Sequence, residues 1–305
     1  MFGVTILGNN SALPAFDRHP TAQVVTLDQY QILIDCGEGT QMQLSRFKIR
    51  RSKIGHILIS HLHGDHYFGL IGLITSMGLL GREQELHIFG PSELEKIITL
   101  HLSVAQTKLS YELIFHALPD NNKPIFENDK FSISCFKVTH RIPCWGFLIK
   151  EKLSARKINR EAIKKYKLQH HQFEDLKNGL DILDTVGTNI LNNEVTLANP
   201  SPRSYAYCAD TIYMPALVPI VENVTMLYHE TTFLAAHEER ALLRYHSTTK
   251  HAGLIAKESN VQHLLIGHFS SKYELLDNFL SETKEYFKNT QLAIEGVTYR
   301  ILYVD

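Results

Sequence analysis

Ile57-Leu58-Ile59-Ser60-His61-Leu62-His63-Gly64-Asp65-His66 is the stretch whose reading decides the fold. Its apolar opening has the length of a strand and lies between Gly55 and Gly64, so the chain runs extended and then turns sharply. Side chains alternate along an extended segment, which puts His61 and His63 on one face, while the turn swings Asp65 and His66 towards a second position. Neutral imidazole and carboxylate are ligands for borderline metal ions. The segment that follows, Tyr67-Phe68-Gly69-Leu70-Ile71-Gly72-Leu73-Ile74, reads as a buried helix. A strand that delivers ligands into a turn and then a helix belongs in an α/β layered fold.

The 305-residue chain is 44% hydrophobic and 21% charged, an ordinary globular composition able to bury a sizeable core. The longest apolar run, Tyr67 to Leu80, is short and broken by glycine, and Met1-Phe2-Gly3-Val4-Thr5 lacks the regions of a signal peptide. A cytoplasmic protein with no membrane partner is expected. Cys36, Cys135, Cys144 and Cys208 show no C-x-x-C pairing and read as reduced thiols in or near strands. A formal net charge of -1 gives no sign of a polyanionic partner. The local distribution does: Arg46 to Lys53 holds five basic residues and no acid, and Lys150 to Lys167 holds eight against Glu151 and Glu161.

Strands are expected over Val4–Gly8, Val24–Leu27 and Gln31–Gly37, the last running into Glu38-Gly39-Thr40, where glycines would let backbone amides approach a ligand. Further strands end on ligand-type residues: Phe131–Thr139 before His140, Tyr205–Asp210 on an aspartate, Val224–Glu230 on His229-Glu230, and His263–His268 on a histidine. Helices are expected over Phe233–Arg244, Thr248–Glu258 with His246-Ser247-Thr248 as its cap, and Lys272–Lys288, with a closing strand at Thr298–Val304. Between Ser154 and Asn199 large apolar residues are few and lysines many. Ile158, Ala162, Ile163 and Tyr166 recur there at helical spacing, so this segment reads as a basic excursion built to contact something.

Residues at the C-terminal ends of strands converge in open α/β sheets. The cluster from His61 to His66, with His140, Asp210 and His268, therefore supplies seven ligands, enough for two ions sharing Asp210. His61, His63 and His140 would serve one ion, and Asp65, His66 and His268 the other. Zinc suits this set, and manganese or iron is compatible with it. Two ions about 3.5–4 Å apart stabilise both oxygens of a phosphoryl displacement, so the set describes a hydrolase without naming its substrate.

The order His61-x-His63-x-Asp65-His66, His140, Asp210, His268 resembles the metallo-β-lactamase superfamily. Asp35-Cys36-Gly37-Glu38-Gly39-Thr40-Gln41, His140-Arg141-Ile142-Pro143-Cys144, His229-Glu230-Thr231-Thr232-Phe233, His246-Ser247-Thr248 and Gly267-His268-Phe269-Ser270-Ser271-Lys272-Tyr273 narrow the resemblance to the ribonuclease Z family, short form. That resemblance implies a four-layer αββα sandwich of two mixed β-sheets with flanking helices and a protruding basic arm. It implies one domain over residues 1–305 with a substrate-binding arm inserted at about 152–199, two zinc ions per subunit, and a homodimer. The activity implied is removal of the 3′ trailer from precursor tRNA, after the discriminator nucleotide, leaving a 3′-hydroxyl on the tRNA and a 5′-phosphate on the trailer.

Asp65 would accept a proton from the attacking water, and His246, oriented by Glu230, would donate one to the leaving oxygen. Arg156, Lys157, Arg160, Lys164, Lys165 and Lys167 would meet RNA phosphates, and Arg18 matches a family position near the 3′ end. The Gly-Pro pair common at the arm tip is absent, Leu168-Gln169-His170-His171-Gln172-Phe173 standing in its place. Two alternatives are a small-substrate metallo-phosphodiesterase of the same superfamily and a non-catalytic RNA-binding metalloprotein. The second fits poorly, because closed structural zinc sites commonly use thiolates and this set has none.

Overall fold

The computed structural model describes residues 1–303 apart from 122 and 185. They form two compact units: a larger one of Met1–Phe126, Ile133–Ile149 and Ser204–Leu302, and a smaller one of Glu127–Ser132 and Lys150–Arg203 with Tyr303.

Two seven-stranded sheets carry the larger unit, the end residues of three strands being counted with the smaller one. With strands numbered in chain order, the first sheet contains β1 (Phe2–Gly8), β2 (Ala22–Leu27), β3 (Tyr30–Ile34), β4 (Ile54–Leu58), β5 (Leu86–Gly90), β6 (Leu113–Ala117) and the late strand β14 (Thr298–Arg300). Its order is β14-β1-β2-β3-β4-β5-β6, antiparallel through β3 and parallel from there. The second sheet contains β7 (Pro124–Glu127), β8 (Phe131–Val138), β9 (Cys144–Glu151), β10 (Ser204–Cys208), β11 (Met226–Glu230), β12 (His263–Gly267) and β13 (Thr290–Leu292) in the order β13-β12-β11-β10-β9-β8-β7.

Every residue of β1, β10 and β11 is buried, as expected of strands covered on both faces. The two sheets meet through side chains: the Tyr205 hydroxyl donates to Gln23, and that of Tyr207 to Asp35. On the outer face of the first sheet, α1 (Thr40–Arg46), α3 (Leu70–Leu79) and α4 (Glu93–Val104) bury Leu44, Leu73, Ile74 and Leu94 against Ile57, Ile59 and Ile88, with the single turn α2 (Gly64–Tyr67) preceding α3. After the short α5 (Glu238–Leu243), α6 (Thr249–Glu258) and α7 (Asp277–Tyr286) cover the second sheet. The expected αββα layering is present, and all four cysteines are buried free thiols.

Several local expectations change. Phe233 bridges to Thr248 instead of entering a helix, so the helix expected from Phe233 begins at Glu238. The helix expected from Lys272 begins at Asp277, because the carbonyls of Tyr273 and Glu274 accept from the buried Arg18 guanidinium. The closing strand stops at Arg300, and Val304 lies outside the described residues. Gly37 serves packing and not ligand approach: a Cβ there would come within 2.4 Å of the Asp65 carbonyl, so glycine lets two loops touch.

The smaller unit also differs from its reading as a polar excursion. Ala162, Leu168, Leu176, Ile182, Ile190 and Val195 form a core of its own, packed round by Ile158, Ile163, Tyr166 and Phe173. These residues come from separate short elements, so only part of them shows a period in sequence. The Asn192 amide binds the pieces together, donating to the carbonyls of Leu176 (2.8 Å) and Leu180 (2.9 Å). Among the described residues no helix is long and apolar enough to cross a membrane.

Candidate metal centre

Asp35 organises the turn after β4. Its backbone sits at φ 54°, a left-handed conformation unusual outside glycine. Its buried carboxylate accepts from Ser60 N (2.8 Å), Ser60 Oγ (2.9 Å) and the Tyr207 hydroxyl (2.6 Å), and lies 2.8 Å from His66 Nδ1. Since Ser60 Oγ donates to Asp35, it accepts from His61 Nδ1 at 3.0 Å. Both rings are thus held by one nitrogen and present Nε2 inward, the usual arrangement around metal-ligating histidines.

Two groups of ligand atoms result. In the first, His63 Nδ1 is 3.0 Å from His61 Nε2 and 3.1 Å from His140 Nε2, and Asp210 Oδ2 lies 3.7 Å from His61 Nε2. In the second, Asp65 Oδ2 lies 3.5 Å from both His66 Nε2 and His268 Nε2. Asp210 also lies 3.2 Å from His268 Nε2 and 3.5 Å from His66 Nε2, so it faces both groups. The structure brings together all seven residues singled out from the sequence.

Outer contacts orient the remaining residues of the two groups. His140 Nδ1 donates to the Tyr245 carbonyl at 2.8 Å, His268 Nδ1 is 3.0 Å from Thr232 Oγ1, and Asp65 Oδ2 accepts from Ala12 N at 2.8 Å. His268 is itself left-handed, at φ 61°.

The chemistry of these atoms fits a cation. His66 Nε2, His268 Nε2 and Asp210 Oδ1 are buried without a hydrogen-bond partner among the described residues, and such atoms are rare unless something else satisfies them. Burial, with the neighbouring histidines, pushes His61 well below its ordinary value and His63 down to about 4, so both are neutral as ligation requires. His66 goes the other way. Burial opposes its proton, but Asp210, Asp65 and Asp35 outweigh burial and hold it well above the ordinary value, showing an excess of negative charge that a bound cation would balance.

Beside the ligands stands a second device. Glu230, 1% exposed, accepts from Ser247 N (2.8 Å), Thr232 N (2.9 Å), Thr232 Oγ1 (2.8 Å) and Thr211 N (3.2 Å), and meets His246 Nδ1 at 3.0 Å. Burial alone would lower the pKa of His246, yet Glu230, helped by Asp210 and Asp65, raises it to about 9. His246 sits just ahead of Thr248, whose side chain caps α6 by accepting from His251 N.

A cavity of about 540 Å³ opens over the centre, lined by His63, Asp65, His140, Asp210 and His246 and also by Arg240 and Arg244. The two arginines were not singled out from the sequence, although their four-residue spacing ahead of His246 was a signal available there. Arg18 is not placed as the resemblance implied. It is 8% exposed and its guanidinium is committed to Asn10 Oδ1 (3.0 Å) and the carbonyls of Glu274 and Tyr273, so it ties loops together and is not open to RNA. On the smaller unit Lys157, Arg160, Lys164, Lys165 and Lys167 are exposed, whereas Arg156 is half-buried and donates to Thr196 Oγ1 at 2.7 Å.

Two mixed sheets flanked by helices, with histidines and aspartates converging at strand ends, define a metal-binding hydrolase of the metallo-β-lactamase fold. Residues 2–177 match the family model described as anti-Pycsar protein Apyc1. Ribonuclease Z of Bacteroides fragilis is 42% identical over 297 residues, covering 97% of this chain and 98% of its own. That of Cytophaga hutchinsonii is 40% identical over 302 residues, covering 98% and 96%. The crystal structure of human tRNase Z, short form, superposes with a TM-score of 0.72 at 25% identity, covering 98% of this chain and 99% of that one. The metallo-β-lactamase fold protein YhfI from Bacillus subtilis, at 21% identity and a TM-score of 0.70, agrees in fold. The chain belongs to the ribonuclease Z family and, over residues 2–177, to the family of the Apyc1 model. It is a metal-dependent endoribonuclease of tRNA 3′ processing.

Proposed function

We propose that the chain cuts precursor tRNA directly after the discriminator nucleotide, using two zinc ions, to leave a 3′-hydroxyl on the tRNA and a 5′-phosphate on the trailer. The observation carrying this reading is the juxtaposition of unpartnered buried ligand atoms with the Glu230–His246 pair at one cavity. His61, His63, His140 and Asp210 would hold one ion, and Asp65, His66 and His268, with Asp210 shared, the other. Bound there, divalent ions acidify a water and neutralise charge on phosphoryl oxygens.

The protein's own groups do the rest. Asp65, steadied by the Ala12 amide on Oδ2, would take a proton from the attacking water. His246, protonated against Glu230 through Nδ1, leaves Nε2 to donate to the 3′ oxygen, a poor leaving group without a proton. Burial of Glu230 among four donated hydrogen bonds keeps the pair aligned while substrates come and go.

The reading extends to the smaller unit, taken as an arm inserted at about 152–199 into one metallo-β-lactamase-like domain spanning 1–305. Its exposed Lys157, Arg160, Lys164, Lys165 and Lys167, with the half-buried Arg156, would contact phosphates of the tRNA body, giving salt-dependent and sequence-insensitive binding. The family relationship supports a homodimer acting in the cytoplasm. Incubating purified protein with one precursor tRNA, alongside metal analysis of the same preparation, tests the whole. A trailer bearing a 5′-phosphate and a tRNA ending at the discriminator are expected; an intact precursor beside a fully metal-loaded protein refutes it.

A further inference from the structure

Arg240 and Arg244 have no part in the chemistry described above. Arg240 lies in α5 and Arg244 caps it four residues on, so the two stand on neighbouring turns of one helix face. Both are exposed, both line the cavity over the metal centre, and neither forms an ion pair among the described residues. Arg240 lies over the Phe233 ring at 5.8 Å, and Phe233 lines the same cavity. The nearby acid Glu238 is occupied by Lys250 (3.3 Å) and His251 (3.1 Å).

These arginines are mechanically joined to His246. Arg244 N donates to the Arg240 carbonyl at 3.1 Å, and His246 N donates to the Ala241 carbonyl at 2.9 Å, so helix and histidine move as one piece. A guanidinium presents a planar fork of donors that fits a phosphate. Side chains four residues apart on a helix lie about 5–6 Å apart at Cβ, a span comparable with that between successive phosphates of one strand.

The leaving 3′ oxygen belongs to the tRNA, not to the trailer, so the wall that carries its proton donor faces the tRNA side of the cut. We propose that Arg240 and Arg244 grip successive backbone phosphates of the acceptor strand just before the scissile bond and so set the position of cleavage. The proposal rests on precursor tRNA as substrate and on His246 as the donor.

The test uses the metal-loaded dimer or monomer as purified, with tRNA ending at the discriminator nucleotide as a ligand that is not cut, and a trailer oligonucleotide as control. Arg240→Ala/Arg244→Ala is expected to raise the Kd for that tRNA roughly tenfold and to flatten its logarithmic salt dependence by about 0.7 per arginine removed. Trailer affinity should be unchanged, and Arg240→Lys/Arg244→Lys should restore the salt slope. Metal content and melting temperature, read on each variant, guard against misfolding. An unchanged tRNA Kd overturns the proposal, as does a loss confined to the trailer. If wild-type protein neither binds this tRNA nor cuts its precursor, the substrate reading itself has failed.

Discussion

Replacing Glu230 by glutamine keeps the shape of the side chain and removes its charge. In the native fold Glu230 lies 3.0 Å from His246 Nδ1 and is the strongest influence opposing burial, holding the imidazolium to a pKa of about 9 against the ordinary 6.5. The sign follows directly: a raised pKa keeps the proton donor intact at neutral pH and loses it as pH rises through about 9. Without the carboxylate the value should return towards the ordinary one. At pH 8 a group with a pKa near 9 is roughly nine-tenths protonated and one near 6.5 only about 3%, so the donor population falls about 30-fold; at pH 6 the two differ by less than about twofold.

A stability cost accompanies the change. Ser247 N and Thr211 N point at one carboxylate oxygen, Thr232 N and Oγ1 at the other, so an amide NH₂ must confront buried donors whichever way it turns. About 1–3 kcal/mol should be lost. Single-turnover cleavage of precursor tRNA across pH 6–9, with thermal melts of the same variant, measures both effects. An equal loss of rate at pH 6 and pH 8, with the alkaline limb left near pH 9, would refute the coupling.

Asp65→Ala should slow the chemical step roughly 10²–10⁴-fold while the Kd for tRNA stays within about twofold, with metal content read on the same variant; an undiminished single-turnover rate would deny Asp65 its role as proton acceptor. Asp35→Ala takes the acceptor from Ser60 and Tyr207 and the partner from His66. It should weaken metal binding roughly 10–100-fold in a chelator competition and cost about 3–5 kcal/mol in denaturant titration, and wild-type metal affinity would contradict it. Leu176→Ala, at a fully buried position in the core of the smaller unit, should cost about 2–5 kcal/mol there. Hydrogen exchange should rise within residues 150–203 and not around His61, and uniform acceleration would show that the unit has no stability of its own.

The convergence of the candidate metal cluster was legible because its signals are local. His61, His63, Asp65 and His66 occupy one turn, and His140, Asp210 and His268 each lie at or just past the end of a strand whose apolar run is visible in sequence. The words around Glu230 and His246 singled out two residues that the structure pairs at 3.0 Å, and the layered fold was legible through its alternation of strands and helices. What stayed hidden depends on partners far along the chain. Asp35 holds the metal turn only because Tyr207, 172 residues later, reaches across from the other sheet. Arg18 reads as a free cation until it meets carbonyls 255 and 256 residues away. Arg240 and Arg244 become a cavity wall only when β11 and α6 bring their helix beside the ligands. Periodicity and short words record which face of an element is apolar and which residue types stand together. Which buried donor meets which acceptor is decided by how the two sheets pack, and that is written in no single stretch of the chain.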